Sequence, residues 1–412
     1  MTRTAHVLEP TGQDIYSEIA MLRADGPVSR VELPGGVPAW MVTGYGELRE
    51  LLTNPMVSKD PVHWADMTEG RIPQDWPLMQ WVMKVGMFTA YGSEHRRLRR
   101  LGAPAFTARR TSAMAPMIEV ATASALAAIE NGDPAALAGR YGPGVVDLRA
   151  AFCFPIPIDV IGALLGVPDD LYPTIKICSD ALFDSTITPQ AAVARLIELN
   201  ETIQELVSRK QANPGDDLAS DLLRTHDGDD RYTPEELAVT IRMTIVAGYE
   251  TTVNLLDEAV VALLSHPEHL AAVLDGRITW EAVVEETLRL RAPAAAIPLR
   301  YAVQDLEIGG VRIAQGEAIL PSFAGAGRDP QVHGATADAF DPSRERTDHL
   351  SFGHGVHHCL GAPLARLEAI MALPALFDRY PNMRLAQDAA TIPASPGFIM
   401  NGHVGVPVVL EP

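Results

Sequence analysis

The chain has 412 residues, of which 47% are hydrophobic and 21% charged, the balance of an ordinary globular protein with a large core. Its 33 Lys and Arg residues against 52 Asp and Glu residues give a formal charge of −19, which opposes binding to nucleic acids and to anionic membranes. The first residues contain no apolar signal region and no run of about 18 apolar residues is present, so we expect a cytoplasmic protein without a membrane anchor.

The predicted elements begin with a small β-region and continue with helices. VSRVELPG and AWMVTG alternate as strands do, and ELRELLTN follows as a short helix. From about residue 92 to 292 the pattern is mostly helical. The segment 234–265 predicts one helix, with Thr233 as its N-cap and Pro267 after its end. At the usual rise per residue it extends about 48 Å, so we expect this helix to cross the interior.

The last third of the chain mixes helices with short strands. TWEAVVEETLRLRAP predicts a helix that ends before Pro293, and strands follow in LRYAVQDLEIGGVRIAQGEAILP with a turn at Gly309 and Gly310. A further helix is predicted from about residue 360 to Arg379, and VGVPVVL has the pattern of a terminal strand. Dominant helices, small sheets at the edges and the absence of a linker predict a mainly α fold with small β-sheets (α+β), in a single domain over residues 1–412.

The stretch HLSFGHGVHHCLG at 349–361 carries the most distinctive chemistry. Its four histidines and one cysteine suggest a metal, but structural zinc needs four ligands, usually from two close pairs separated by a loop. Cys359 lies directly before a helix with Pro363 in its first turn, and the free N–H groups of such a helix end favour a thiolate over a thiol. The residues alone leave a metal ligand and a structural loop thiol as equal alternatives. Cys153 and Cys178 lie in apolar segments and are predicted to be core residues.

A second feature lies at the middle of the long predicted helix. In AGYETT an acid, Glu250, and an alcohol, Thr251, follow Gly248, and a glycine inside a helix costs about 1 kcal/mol relative to alanine. An acid beside an alcohol at a weakened point of a buried helix suits a proton relay, although a packing kink is the commoner cause of such a sequence.

The chain resembles the cytochrome P-450 family of haem-thiolate monooxygenases. FGHGVHHCLG matches the family's Phe-x-x-Gly-x-x-x-Cys-x-Gly loop, AGYETT matches its Ala/Gly-Gly-x-Asp/Glu-Thr-Thr signature, and Glu286 with Arg289 matches its Glu-x-x-Arg pair. FDPSR and SEHRRLRRL provide further matches, and the motifs occur in the family's order. The resemblance covers essentially the whole chain. It implies the family's triangular-prism fold, with haem b between the long central helix and the helix after the cysteine loop.

The resemblance also implies a role for each matched residue. It makes Cys359 the axial ligand of the haem iron, and it makes Glu250 and Thr251 the catalytic pair. A buried triad supporting the proximal side of the haem would consist of Glu286, Arg289 and Arg344. The haem propionates would be bound by His95, Arg99, Arg300 and His357, and the other haem contacts would come from Gly248, Phe352, Gly355 and Gly361. The remaining histidines of the loop, His349, His354 and His358, are predicted to be ordinary loop residues.

The substrate pocket implied by the resemblance is lined by the 61–90 loop, the 170–200 region, the long helix, the AAAIP turn and the C-terminal GFIM loop. Its predicted lining residues are Trp76, Met83, Phe88, Met243, Ala247, Ala295, Ala296, Ile297, Phe398 and Ile399. Small, apolar walls suit a bulky hydrophobic molecule. The overall similarity is to actinobacterial members that act on macrolides, other polyketides and steroids. Hydroxylation, epoxidation and ring coupling stay open, as does the effect of Tyr249.

Electrons must come from separate proteins, because the sequence has neither a cysteine quartet for an iron–sulfur cluster nor a GxGxxG segment after a strand. We therefore expect a ferredoxin and a ferredoxin reductase as partners, O₂ and a small hydrophobic molecule as substrates, and a monomeric enzyme. Arg96, Arg97 and Arg100 form a candidate docking face for an acidic ferredoxin, with a solvated helix face as the equal alternative.

Three other functions compete with that of a monooxygenase. A haem-thiolate sensor or carrier, and a peroxide-driven member of the same fold, would use the same cysteine loop without needing the acid–alcohol pair. A zinc hydrolase would need ligands from elsewhere in the chain, and no HExxH motif is present. Two departures from the family's pattern are YGSE before His95 and Gly327 where asparagine is common.

Overall fold

The computed structural model describes residues 5–132, 141–183, 189–228, 230–297 and 299–411. Within them the chain is mainly helical with small sheets, which confirms the predicted fold class. The α-helices, numbered α1 to α18, are Ile15–Asp25, Tyr45–Thr53, Ala65–Thr68, Met79–Val82, Gly86–Thr89, Gly92–Gly102, Ala108–Ala113, Ala115–Glu130, Pro155–Leu165, Tyr172–Phe183, Pro189–Ala212, Leu218–Arg224, Pro234–Ser265, Pro267–Leu274, Trp280–Leu290, Phe323–Gly327, Pro330–His333 and Ala362–Arg379. The strands, numbered β1 to β13, are His6–Val7, Val28–Leu33, Val37–Val42, Val57–Ser58, Val146–Asp147, His226–Asp227, Asp230–Arg231, Arg300–Ala302, Leu306–Ile308, Val311–Ile313, Ala318–Pro321, Arg384–Leu385 and Pro407–Val409.

The long helix α13 begins and ends where the sequence predicts. Its first turn is capped on both sides, because the Glu236 N–H donates to the Thr233 hydroxyl at 3.1 Å and the Thr233 N–H donates to the Glu236 carboxylate at 2.9 Å. Residues 252–263 are all buried. Since this stretch includes Asn254, Asp257 and Glu258, its polar side chains must find partners inside the protein.

Proximity of Cα atoms divides the chain into two compact units. The first unit comprises residues 1–93, 257–359 and 387–404, and the second comprises 94–256, 360–386 and 405–412. Each unit is assembled from three stretches of chain, and α13 contributes residues to both. The single domain expected from the sequence stays a prediction.

The first unit is built around a six-stranded sheet with the order β1-β2-β3-β11-β8-β4. β2 pairs antiparallel with β3, and β11 pairs parallel with β3 and antiparallel with β8. A separate hairpin, β9–β10, turns at the two glycines that the sequence indicates, with φ of 57° at Gly309 and 76° at Gly310. The core of this unit includes Ile19, Val31, Leu48, Trp64, Tyr301 and Leu320.

The second unit is mostly helical. α8 packs against α9 and α18, α10 packs against α11, and a small sheet has the order β12-β13-β5. Among the described residues, one helical stretch at 108–130, which contains α7 and α8, has the length and composition of a membrane span. Core helices of globular proteins pass the same test, and α8 packs against α9 and α18.

Candidate active site

The loop between α17 and α18 presents Cys359 at its surface. Gly353 and Gly355 have φ of 70° and 71°, in the left-handed region that favours glycine, and a Cβ at Gly355 would lie 2.7 Å from the Leu52 carbonyl oxygen. The Cys359 N–H donates to the Phe352 carbonyl at 2.9 Å, which closes the turn. Cys359 is exposed, whereas the other two cysteines are buried. The loop therefore holds a single thiol outside the core.

Side chains of the same loop anchor it to α15. His349 Nε2 lies 3.0 Å from Glu285 Oε2, and the Ser351 hydroxyl donates to the Leu288 carbonyl at 2.5 Å. The ring of His349 also lies against that of Phe352, with 5.9 Å between their centroids. Through these contacts His349 stabilises the loop.

The three residues of the predicted triad meet in one buried cluster. Arg289 donates through Nε and Nη2 to both oxygens of Glu286, each at 2.7 Å, and Arg344 Nε lies 3.4 Å from Glu286 Oε1. Arg289 also donates to three backbone carbonyls at 2.7 to 2.9 Å. The unusual Gly327 fits here, because a Cβ on it would lie 1.9 Å from the Arg289 carbonyl oxygen. Each charge in the cluster thus has protein partners.

One face of α13 is open near the middle of the helix. Met243, Ala247 and Thr251 follow one another at intervals of four residues and are half-buried or exposed, whereas Tyr249 and Glu250 on other faces are buried. The Thr251 hydroxyl donates to the Ala247 carbonyl at 2.6 Å. A strip of apolar, small and alcohol side chains that is left partly uncovered offers a surface to a ligand. We call these three residues the open strip.

Glu250 is bound by a buried arginine that the sequence analysis missed. Arg149 lies in a π-helical turn, Arg149–Cys153, and donates through Nη2 to Glu250 Oε1 at 2.7 Å and through Nη1 to Asn254 Oδ1 at 2.8 Å. The side chains of Arg149 and Glu250 are only 4% and 6% exposed. A guanidinium bonded to a buried carboxylate favours its ionised form. Arg149 is the only charged residue in the apolar run LRAAFCFPIPI, which was a signal available in the sequence.

The two residues before Glu250 serve helix packing. Tyr249 is 1% exposed and its ring lies 5.7 Å from that of Phe154, while the Arg149 guanidinium lies 4.8 Å from the same Phe154 ring. A Cβ on Gly248 would lie 2.7 Å from Ile161 Cδ1 in α9. Close packing against α9 is therefore the observed reason for a glycine at this position, and its predicted contact with haem stays a prediction.

Two buried cations lie opposite each other at the edge of the six-stranded sheet. β4 and β8 pair antiparallel with Ser58 opposite Tyr301. Continued by one residue, this register sets Lys59 opposite Arg300, with both side chains on the same face of the sheet. Each of the two is 6% exposed. A like-charged pair directly across two strands is unfavourable, and burial makes it more so.

Neither cation has a carboxylate partner in the part of the chain that the structure describes. Lys59 Nζ lies 3.3 Å from the centroid of the Phe88 ring, and Arg300 Nη1 makes one long bond of 3.5 Å to the Leu299 carbonyl. Burial, and then the charge of Arg300, lowers the pKa of Lys59 well below its usual range; burial lowers the pKa of Arg300 to about 10. The carboxylates of haem carry the charge that this pair lacks, so the residues present fit the expected cofactor.

Arg300 was predicted from its sequence, whereas Lys59 was not. Within SKDP, Lys59 has the sequence context of an ordinary surface lysine. Its position opposite Arg300 becomes visible only from the pairing of β4 with β8, two strands that are distant in the chain. Sequence reasoning without that register had no signal for it.

The other residues predicted to bind haem lie on several elements. His95 and Arg99 are one turn apart on α6, where His95 is buried and Arg99 half-buried. His357 ends the 3-10 turn Gly355–His357 and is half-buried. Gly361 is the N-cap of α18. Their roles at a haem stay predictions.

The predicted substrate-lining residues before α6 differ in their surroundings. Met83 is 55% exposed. Phe88 covers the ammonium group of Lys59. Trp76 is buried, and its indole N–H donates to the Pro34 carbonyl at 2.6 Å. The indole of Trp76 is thus part of the core of the first unit.

The predicted lining residues of the AAAIP turn and the GFIM loop lie together. Ala295, Ala296 and Phe398 line one small cavity, which they share with Leu8, Ile15, Glu18, Ile19 and Met41. The Ala295 N–H donates to the Ile399 carbonyl at 2.8 Å, which ties the turn to the loop. Ile297 is half-buried beside this core. Residues 184–188 of the predicted 170–200 lining region lie outside the described residues.

The predicted docking face is narrower than the sequence suggests. Arg97 forms ion pairs with Asp230, at 3.2 Å, and with Glu236, so its charge is balanced inside the second unit. Arg96 and Arg100 are exposed on the same helix. Of the three arginines, Arg96 and Arg100 are thus exposed and Arg97 is half-buried.

Comparison with known proteins identifies the family. The cytochrome P-450 family profile matches residues 279–401. The chain is 40% identical over 405 residues to 2-hydroxy-5-methyl-1-naphthoate 7-hydroxylase from Streptomyces carzinostaticus, across 98% of this chain and 97% of that relative. It is 35% identical over 396 residues to cytochrome P-450 monooxygenase PikC from Streptomyces venezuelae, across 96% of this chain and 91% of PikC.

Solved structures agree with this assignment. CYP154A1 from Streptomyces coelicolor A3(2) superposes with a TM-score of 0.87 at 46% identity, over 99% of this chain and 100% of that chain. Testerone-bound CYP154C4 from Streptomyces sp. ATCC 11861 superposes with a TM-score of 0.91 at 40% identity, over 99% of both chains. Similarity of this extent over whole chains means that the protein belongs to the cytochrome P-450 family and is a monooxygenase that uses haem b held through a cysteine thiolate.

Proposed function

We propose that the enzyme inserts one oxygen atom from O₂ into a bulky hydrophobic substrate of the macrolide, polyketide or steroid type. The observation that carries this proposal is the open strip of α13, where Met243 and Ala247 offer a small, apolar wall that ends at Thr251 beside Glu250. The names of three similar proteins give support: a naphthoate hydroxylase, the monooxygenase PikC, and CYP154C4 with testerone bound.

Cys359 is proposed to hold the haem iron through its thiolate, because it is the one exposed cysteine and lies on a loop braced by α2 and α15. We assign the propionates to Arg300 and Lys59 together with His95, Arg99 and His357. When bound in this way, haem supplies the binding and activation of O₂, with electron density donated by the thiolate. Phe352, whose carbonyl accepts the Cys359 N–H, fixes the backbone that carries the sulfur.

Glu250 and Thr251 are proposed to deliver protons to the open strip. Arg149 fixes the position of the Glu250 carboxylate through one of its oxygens, so that Glu250 is held beside Thr251. The Thr251 hydroxyl bonds to the Ala247 carbonyl at rest and lies on the half-buried face, from which it could pass a proton to the oxygen atom that is released as water. Arg149 also bonds Asn254, one turn further along α13, so the guanidinium spans the segment that carries the relay.

Electrons are proposed to come from a ferredoxin and its reductase. Arg96 and Arg100 would meet the acidic ferredoxin, while Arg97 stays in its ion pairs with Asp230 and Glu236. Because the attraction is electrostatic, turnover should fall as salt is added. We further propose that the enzyme works as a monomer in the cytoplasm, in keeping with its formal charge of −19.

Two threonine variants test the relay, because the structure provides a matched pair. The Thr252 hydroxyl donates to the Gly248 carbonyl at 2.9 Å, as Thr251 does to Ala247, but Thr252 is buried and lies off the open strip. With a substrate selected by its spin-state shift, T251A should lower product formed per electron by about tenfold or more and release the difference as peroxide. T252A should retain the coupling of the wild type. Equal coupling in the two variants would remove Thr251 from the relay.

A further inference from the structure

A buried charge cluster joins α13 to the C-terminal loop. Two adjacent carboxylates of α13, Asp257 and Glu258, are 0% and 3% exposed. Arg291, directly after α15, lies with Nε 3.7 Å from Glu258 Oε2, and His403 lies with Nδ1 3.2 Å from Asp257 Oδ1. The backbone N–H of His403 also donates to Asp257 Oδ2 at 3.2 Å. All four residues belong to the first unit.

Among these four residues, the charges balance when His403 is protonated. Two buried carboxylates face one guanidinium, and an imidazolium at His403 supplies the second positive charge. Burial alone would lower the pKa of His403, but Glu258 and Asp257 outweigh burial and the opposing charge of Arg291, so that the pKa is raised. Asp257, Glu258 and His403 also have potential metal-binding atoms within 4.8 Å of one another. Arg291 already supplies positive charge beside these carboxylates, which disfavours a metal cation at this position.

His403 stands at one end of a loop whose tip is held by backbone hydrogen bonds. His403 forms a bridge with Ala394, which closes the loop 394–403. Near its tip, the Ile399 carbonyl accepts from the Ala295 N–H at 2.8 Å, and the Asn401 N–H donates to the Pro293 carbonyl at 2.9 Å. The contact of His403 with α13 is therefore the charged anchor of this loop. The loop is also held by its backbone bonds and by the Asn401 side-chain amide, which donates to the Tyr16 hydroxyl at 2.7 Å and to the Ala292 carbonyl at 3.2 Å.

We propose that His403 is a positioning residue, which as an imidazolium bonded to Asp257 clamps loop 394–403 and keeps its Phe398–Ile399 tip in place for substrate. This inference rests on the proposed role of that tip in lining the substrate pocket. An imidazolium stabilised in the folded state contributes fully below its unfolded pKa, and the contribution is lost as the pH rises through the raised folded value. The clamp should therefore loosen on the alkaline side, and affinity for ligands should fall with it.

Amide hydrogen exchange of the holoenzyme tests the clamp without reference to substrate. His403→Gln removes the charge but keeps a side chain that forms hydrogen bonds, and Asp257→Asn removes the partner charge. After correction for intrinsic rates, the amides of 399–404 should exchange about tenfold faster in either variant than in the wild type near neutral pH. In the wild type, but not in the two variants, the corrected exchange rates of these amides should increase as the pH is raised. His266→Gln, directly after the C-terminal end of α13 where Nδ1 bonds the Ala262 carbonyl, is the control and should match the wild type.

Binding of 4-phenylimidazole, followed by the shift of the haem absorption band, tests the consequence for ligands. Over about pH 7 to 9.5, where this probe is uncharged, wild-type affinity should fall about tenfold, and His403→Gln should be weak and independent of pH. Faster exchange without a change in affinity would refute the effect on ligands, and unchanged exchange in His403→Gln would refute the clamp itself. Tight Zn²⁺ binding that His403→Gln abolishes would overturn the imidazolium assignment. A protein without a haem band would refute the proposed function, while the exchange result would still decide the clamp.

Discussion

Two groups of buried charged residues in the first unit differ in whether the protein chain itself compensates their charge. In the triad, the carboxylate of Glu286 receives both arms of Arg289 and the approach of Arg344, and backbone carbonyls take the other N–H groups of Arg289. In the edge pair, Lys59 and Arg300 face each other with no carboxylate among their partners in the described residues. The triad is complete within the protein chain, whereas the edge pair is not.

Whether a buried charge has a partner within the chain distinguishes charges that maintain the fold from charges that bind a ligand. Taking a charge out of water costs several kcal/mol, and a chain keeps such a charge when partners compensate for it. The triad finds its compensation in residues of its own chain, so its loss should damage the fold itself. We propose that Lys59 and Arg300 find theirs in the carboxylates of haem, so the loss of Lys59 should affect the bound cofactor more than the fold. Substitutions in the two groups should therefore be distinguishable by what they disturb.

The largest effect is expected from Arg289→Met. It leaves the fully buried carboxylate of Glu286 with the Asp341 N–H at 2.8 Å and the longer contact to Arg344, and the loss of the main partner of a buried charge costs about 3–5 kcal/mol. Chemical denaturation of the holoenzyme measures the change. Arg277→Met, which breaks an exposed ion pair with Asp275, should stay within about 1 kcal/mol of the wild type. If Arg289→Met lowers the free energy of unfolding as little as Arg277→Met does, the triad is not needed to maintain the fold.

Lys59→Met should act on haem retention. Methionine keeps the length of the side chain and removes the charge, so transfer of haem to an acceptor protein should be about tenfold faster, while chain unfolding changes little. Lys84→Met, which removes an exposed lysine paired with Asp60 at 3.2 Å, is the matched control and should leave the transfer rate unchanged.

The dimethyl ester of haem sharpens the same test. It has no propionate charge, so Lys59→Met and the wild type should lose it at the same rate if Lys59 acts on a propionate. Acceleration that is equally large with the ester would mean that Lys59 supports the site through packing on Phe88 instead.

The smallest effect concerns pH and the protein from which haem has been extracted. Burial and the charge of Arg300 lower the pKa of Lys59, so the folded chain without haem binds fewer protons than the unfolded chain between that lowered pKa and about pH 10.4. Stability therefore rises with pH in this window. Denaturation at several pH values should show Lys59→Met gaining less from alkaline pH than the wild type. If the free energies of unfolding of Lys59→Met and the wild type change with pH in parallel, the pKa of Lys59 is not lowered in the protein without haem. That result would mean that Lys59 becomes solvated when haem is removed.

Much of the fold was predictable because local signals and tertiary packing agree. Thr233 with Glu236 and the proline at 267 set both ends of α13, and the glycine pair placed the β9–β10 turn. These signals act over a few residues and depend little on the rest of the chain. The division into two compact units was not predicted, since each unit combines three stretches that are distant in sequence.

The site was predictable where a residue type and a local spacing carry the chemistry. Cys359 in its glycine-flanked loop and the Glu286–Arg289 pair, one turn apart, are of that kind. Lys59 and Arg149 were missed for a different reason, because each acquires its partner only through tertiary contact: one across two strands, the other from the turn before α9 to α13. A lone arginine in an apolar run was nevertheless a visible signal.

The measurement that tests the central claim most directly is the absorption spectrum of the reduced protein before and after carbon monoxide, for the wild type and for Cys359→His. The account predicts a strongly red-shifted Soret band in the wild type, which reports a thiolate on the haem iron. Cys359→His should move that band to the position typical of histidine-ligated haem. A wild-type band already at the histidine position, or no Soret band in protein supplied with haem, would contradict the assignment of Cys359 as the axial ligand.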